Sequence, residues 1–170
     1  TDASFSDLEM RAQVKINSNG NSGFYFRTVP AADNPDSWPT GYEAQIDQHD
    51  PKNFTGCIYN KAWPAGTPGP ITRDNAWFDY RVRAVGGHIQ TWINGRPMVD
   101  ASLTEFDRGQ IVLQSHHQGN EVQWRDIQVR DLSAAGSTPP AGAARPVRLF
   151  YCTHSAGFRH DVLPETRQIM

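Results

Sequence analysis

Apolar and polar residues alternate with a period of two along most of the first 130 positions, the pattern of strands that lay one face on a core. In Met10-Arg11-Ala12-Gln13-Val14-Lys15-Ile16, four apolar residues alternate with three polar ones. Phe78, Tyr80 and Val82 likewise oppose Asp79, Arg81 and Arg83. The same period predicts strands over 9–17, 23–29, 41–48, 55–59, 77–85, 88–93, 109–116 and 122–130, with a short one at 96–99. Gly86-Gly87 and Asn94-Gly95 supply positive φ at low cost, so each predicts a two-residue hairpin turn. No helical period precedes residue 131. Short strands at this spacing predict an all-β sandwich or barrel.

Alternation also sorts the chemistry. Phe24 and Phe26 point one way, Tyr25 and Arg27 the other; Ala44 and Ile46 oppose Glu43, Gln45 and Asp47. An arginine, a tyrosine, an amide and two carboxylates on one strand face suit a polyhydroxylated ligand or proton handling. Glu43 and Asp47 stand four apart on one strand, roughly 13 Å between backbones, so any pKa shift must come from burial or neighbouring strands. Gln114 and His116 share a face, with Ile111, Leu113 and Ser115 alternating away. Trp38 and Trp63 fall in long proline-bearing loops, 30–40 and 61–76, of the kind that shape sites. They are expected either to stack on sugar rings or to plug the sandwich ends. Trp92 and Trp124 lie in strands and read as core. Solvated ion pairing by Arg27 or Arg125 is the competing account of the acids.

The chain has 170 residues, a net charge of −2, 38% hydrophobic and 11% aromatic content. That is enough for one sizeable core, with chain to spare. The charge gives no case for nucleic acid or for an anionic membrane, and no apolar run approaches the roughly 20 residues of a spanning helix. Cys57 and Cys152 could pair only if the fold brings them together. Asn53-Phe54-Thr55 is a glycosylation sequon. After Leu132 the composition shifts: 133–144 holds only Ala, Gly, Ser, Thr and Pro, a linker. Val147-Arg148-Leu149-Phe150-Tyr151-Cys152 then predicts a strand, which either docks on the sandwich or, the favoured reading, opens an incomplete second domain.

A series of motifs runs in order: Asn21-Ser22-Gly23 with Arg27, Gly41-Tyr42-Glu43 with Gln45 and Asp47, Gly56 with Tyr59, Trp92 with Asn94-Gly95, Gly109 with Leu113-Gln114 and His116, and Trp124-Arg125-Asp126-Ile127. Over about residues 4–132 this series resembles the 3-keto-disaccharide hydrolase family. The resemblance implies a concanavalin-like jelly roll of two antiparallel sheets. It also implies a bacterial, exported (extracellular or periplasmic) protein acting on glycosides oxidised at C3. Residues 147–161, with Gly157-Phe158-Arg159-His160, resemble the opening of the trehalose-utilisation (ThuA-like) family, an α/β fold. The expected organisation is a jelly-roll domain at 1–132, a linker at 133–145 and the start of a ThuA-like domain at 146–170. Ser115-His116-His117-Gln118-Gly119 departs from the family in its doubled histidine.

On this resemblance Glu43, Asp47, His116 and Arg27 are the candidate catalytic residues. Tyr25, Gln45, Tyr59, Gln114, Trp38 and Trp63 are candidate saccharide contacts. The expected chemistry is removal of the C2 proton by Glu43 or Asp47, made acidic by the C3 ketone. Arg27, or a divalent cation held among Glu43, Asp47 and His116, would steady the enediolate, and His116 would protonate the leaving oxygen. The alternatives are a non-catalytic carbohydrate-binding module of a multidomain enzyme, or a structural spacer. A deep cavity joining Arg27, Glu43, Asp47 and His116 favours the enzyme. A shallow groove lined by Trp38 and Trp63 favours the module.

Overall fold

A computed structural model describes residues 3–29, 38–66 and 69–133 and the backbone of 151–153. The strands are β1 (Leu8–Ile16), β2 (Asn21–Val29), β3 (Thr40–Asp47), β4 (Phe78–Val85), β5 (His88–Ile93), β6 (Arg96–Ser102), β7 (Gln110–Ser115), β8 (Val122–Asp131) and the short β9 (Tyr151–Thr153). They form two sheets ordered β6-β5-β4-β1-β8 and β3-β2-β7-β9. All pairings among β1–β8 are antiparallel. The fold is the expected all-β jelly-roll sandwich, with no helix among the described residues.

Alternation builds its interior. Leu8, Met10, Val14 and Ile16 of β1 and Tyr80, Val82 and Ala84 of β4 face Phe24, Phe26, Ala44 and Ile46 across the sandwich, all buried. Burying a large apolar side chain contributes roughly 1.5–3 kcal/mol, so this layer holds the sheets together. Asn94 and Gly95 have φ of 50° and 77°, the mirror-image turn expected of that pair, and Gly86 turns the preceding hairpin at φ 52°.

The predicted strand 55–59 is a turn instead. Gly56 (φ 101°) and Asn60 (φ 54°) interrupt the extended run. The segment still caps the free edge of β3: Gln45 N donates to Cys57 O, Gly56 N to Gln45 O and Tyr59 N to Glu43 O. It thereby forms a wall beside the outer face of the four-stranded sheet. Asn53 is buried, and its side chain bonds Asn60 and Trp63, so the sequon asparagine is built into this wall. Cys57 is a buried free thiol.

β2 contains a bulge. Its register shifts between Phe26 and Val29 against β3, and between Tyr25 and Thr28 against β7. Arg27 sits there at φ 52°. Gly109 permits the bulge, because a Cβ at 109 would lie 2.4 Å from the Arg27 carbonyl carbon and the Thr28 nitrogen. Trp92 corrects an expectation: it lies half-buried outside the core, with the Arg81 guanidinium 4.3 Å above its ring. Trp124 does pack against the core. Of the expected second domain, Tyr151–Thr153 runs parallel to β7 at the sheet edge. The linker, the rest of the ThuA-like segment and residues 30–37 of the first long loop lie outside the described residues.

Candidate active site

The outer face of β2 and β3 is polar yet buried: Tyr25 is 6% exposed, Glu43 8%, Gln45 1% and Gln114 5%. Tyr25 and Glu43 are direct cross-strand partners, as are Gly23 and Gln45. Gln114 follows the Phe24–Leu113 pair on β7, so three adjacent strands deliver these side chains to one place.

A chain of hydrogen bonds joins them. Gln114 Nε2 donates to the Tyr25 hydroxyl at 3.2 Å, and that hydroxyl donates to Glu43 Oε2 at 2.7 Å. The Gln45 amide, with its nitrogen turned towards Glu43, donates to Oε1 at 3.1 Å and to Ser22 O at 3.3 Å. Both carboxyl oxygens are thus fixed. Gly23 makes the room: a Cβ there would lie 2.3 Å from Glu43 Oε1.

Burial raises the Glu43 pKa to about 7, partly opposed by the Tyr25 hydrogen bond. Desolvation therefore outweighs the donor, and Glu43 exchanges its proton near neutral pH. The folded chain holds this proton more tightly than the unfolded chain does. The resulting stabilisation is complete below about pH 4.5 and is lost as pH rises through about 7. Thermal melts should show Glu43→Gln gaining on the parent between pH 5 and pH 8, by an amount on the order of a few kcal/mol. Parallel pH profiles of the two proteins would refute this.

These groups line a cavity of about 370 Å³, together with Asn21, Trp38, Pro39, Gly41, Tyr59, Asn60, Lys61 and His116. That volume lies in the usual range for small-molecule sites, about 300–1,000 Å³. Trp38 stacks on the His116 ring at 4.8 Å between centroids, and His116 meets His117 edge-on at 5.6 Å. Trp38 and Tyr59 are each 41% exposed, so aromatic surface flanks a polar floor.

The cavity gathers Tyr25, Glu43, Gln45, Tyr59, Gln114, Trp38 and His116 from the expected set. Three expected residues stand elsewhere. The bulge turns Arg27 away: its Nε donates to Ser6 O at 2.7 Å, Nη1 to Phe106 O at 3.0 Å, and Nη2 reaches Asp7 Oδ1 at 3.4 Å. Asp47 ends β3 as a turn cap. Its Oδ1 accepts from the His49 and Asp50 amides, and its Oδ2 from Asn21 Nδ2. Trp63 lies behind the wall, its Nε1 on Asn53 and Lys52 over its ring. Among the described residues no three His, Cys, Asp or Glu stand together as a metal site, so Glu43, Asp47 and His116 do not form the expected donor set. Lys61 is a lining residue absent from the expected set, and it is ion-paired with Glu105. It is delivered by the 55–62 turn, which the period of two could not place.

Comparison with known proteins bears on the fold and the family. Two crystal structures described as candidate glycosyl hydrolases from Parabacteroides distasonis ATCC 8503 share the fold. One has a TM-score of 0.66 at 19% identity, covering 78% of this chain and 75% of that one. The other has 0.62 at 20%, covering 78% and 81%. The carbohydrate-binding module CBM66 from Bacillus subtilis is also similar, at 0.54 and 20% identity over 75% of this chain and 77% of that one. No curated protein sequence matches. The model of the 3-keto-alpha-glucoside-1,2-lyase-like domain matches residues 1–130, and the chain belongs to that family.

Proposed function

We propose that this domain cleaves 3-keto-glycosides by elimination across C1–C2 followed by hydration, with Glu43 as the base. The carrying observation is Glu43 itself, a buried carboxyl with a pKa near 7 on the wall of a sugar-sized cavity. A general base works best when its pKa lies near the working pH.

The C3 ketone acidifies the C2 proton. Glu43 takes that proton, and the C2–H electrons form the C2=C3 bond of an enediolate. Re-formation of the C3 carbonyl drives those electrons into a C1=C2 bond and expels the C1 oxygen, which must gain a proton. Water then adds at C1, and C2 regains a proton. His116, on the same cavity wall, is the donor available to the leaving oxygen. Lys61 is the lining cation that could steady the enediolate, by exchanging its ion pair with Glu105 for the substrate oxygen, a role Arg27 cannot fill from its place beneath the bulge. Trp38 and Tyr59 offer faces for the apolar side of a sugar ring. Tyr25, Gln45 and Gln114 hold the base in one orientation. The two-carboxylate arrangement of ordinary glycosidases, with acids about 5–10 Å apart, is not supported, because Asp47 does not line the cavity.

Two experiments bear on this. Incubation with a panel of 3-keto-glycosides and their unoxidised parents should give cleavage of the oxidised set alone. Binding of both sets without cleavage would leave a carbohydrate-binding module as the reading. Gly23→Ala should lower kcat by about tenfold or more, since displacing a base by about 1 Å can cost up to 100-fold. An unchanged kcat would show that the Glu43 position is not critical.

A further inference from the structure

The outer face of the five-stranded sheet carries a second cavity, of about 530 Å³, with no lining residue in common with the first. Cross-strand register assembles it. Arg81 of β4 pairs with Arg11 of β1 and Trp92 of β5, and Asp79 pairs with Gln13. Partners in register point to the same face, so these side chains stand in one block.

The block is built from flat polar groups. Arg81 lies over the Trp92 ring and donates from Nη2 to Glu9 Oε2 at 2.7 Å. Gln13 Nε2 donates to Asp79 Oδ1 at 3.0 Å. On β8 a bulge opposes Asp126 and Ile127 to the single residue Ala12, and Asp126 takes φ 53°. Such bulges re-aim side chains, and Asp126 lines the cavity with Gln128.

We propose that this face binds a neutral oligosaccharide, independently of the reaction read from the first cavity. Charge is the first argument. Arg11 and Arg81 are both ion-paired with Glu9, and Asp79 and Asp126 add two further carboxylates to the lining, so a polyanion finds no net attraction. Lining chemistry is the second. A sugar hydroxyl both donates and accepts, and this wall offers guanidinium and amide donors beside carboxylate and amide acceptors. An apolar peptide side chain would need an aliphatic pocket, whereas Ala12 is the only aliphatic lining residue. The indole–guanidinium pair is a flat, amphipathic platform for a pyranose face.

The test is a ¹H–¹⁵N NMR titration of the whole chain with cellohexaose, laminarihexaose and maltohexaose, with polygalacturonate as the charged comparator. At least one neutral hexaose should give saturable shifts at Gln13, Asp79, Gln128 and the Trp92 indole. Trp92→Ala should abolish them, and Gln128→Ala, at an exposed strand position, should weaken binding several-fold. The proposal is overturned if no neutral hexaose shifts these signals. It also falls if shifts are confined to the Tyr25–Glu43 cavity, if polygalacturonate alone binds, or if both variants bind like the parent. Cleavage of 3-keto-glycosides is a separate readout, so either reading can fail alone.

Discussion

Glu43→Gln is expected to lower turnover of a 3-keto-glycoside by about 100-fold or more, the usual scale for loss of a general base. Substrate affinity should change little. The amide keeps the size of the carboxyl, still accepts from Tyr25, and Gln45 can turn its own amide to match. What it loses is the capacity to take a proton. The parent should show a rising limb in kcat/KM centred near pH 7, because the base form is the carboxylate and burial holds its pKa there. That limb should be absent from the residual activity of the variant. A raised KM with kcat unchanged would place Glu43 in binding alone.

The second large effect is structural. Arg27→Ala should destabilise the domain by about 3–5 kcal/mol, the scale for removing one partner of a buried charged network. Arg27 is 2% exposed and ties Ser6, Asp7 and Phe106 to the β2 bulge. Truncation leaves a void, two carbonyls without their donor and a carboxylate without its cation. The melting temperature should fall by about 10 °C or more. Below that transition kcat should stay within a few-fold of the parent, since Arg27 does not line the cavity. A catalytic arginine would give the opposite result: an intact melt with turnover lost.

Arg27 also marks where sequence reasoning stops. Period-two alternation holds wherever the ladder is regular, so it placed Tyr25, Glu43, Gln45 and Gln114 on the face they occupy. A bulge adds one residue and reverses the parity beyond it, and nothing in Phe26-Arg27-Thr28 announces one. Gly109 is the partner signal, but its meaning depends on which strand lies opposite. Asp47 turns off that face for a different reason. At a strand end an aspartate side chain competes for local amides, and the following His-Asp-Pro turn supplied them. Lys61 and Asn60 reach the cavity from a turn, which carries no face periodicity. Trp92 stands outside the core because a large aromatic in an alternating strand fits either face, and the register with Arg81 decides which.

Elimination and direct hydrolysis differ in the fate of one hydrogen. A 3-keto-glycoside carrying deuterium at C2 should be cleaved and the product followed by NMR, against a control of free 3-keto sugar for uncatalysed exchange. Deuterium should pass to Glu43 and be lost to water in step with cleavage. Deuterium retained at C2 in the cleaved sugar would contradict elimination.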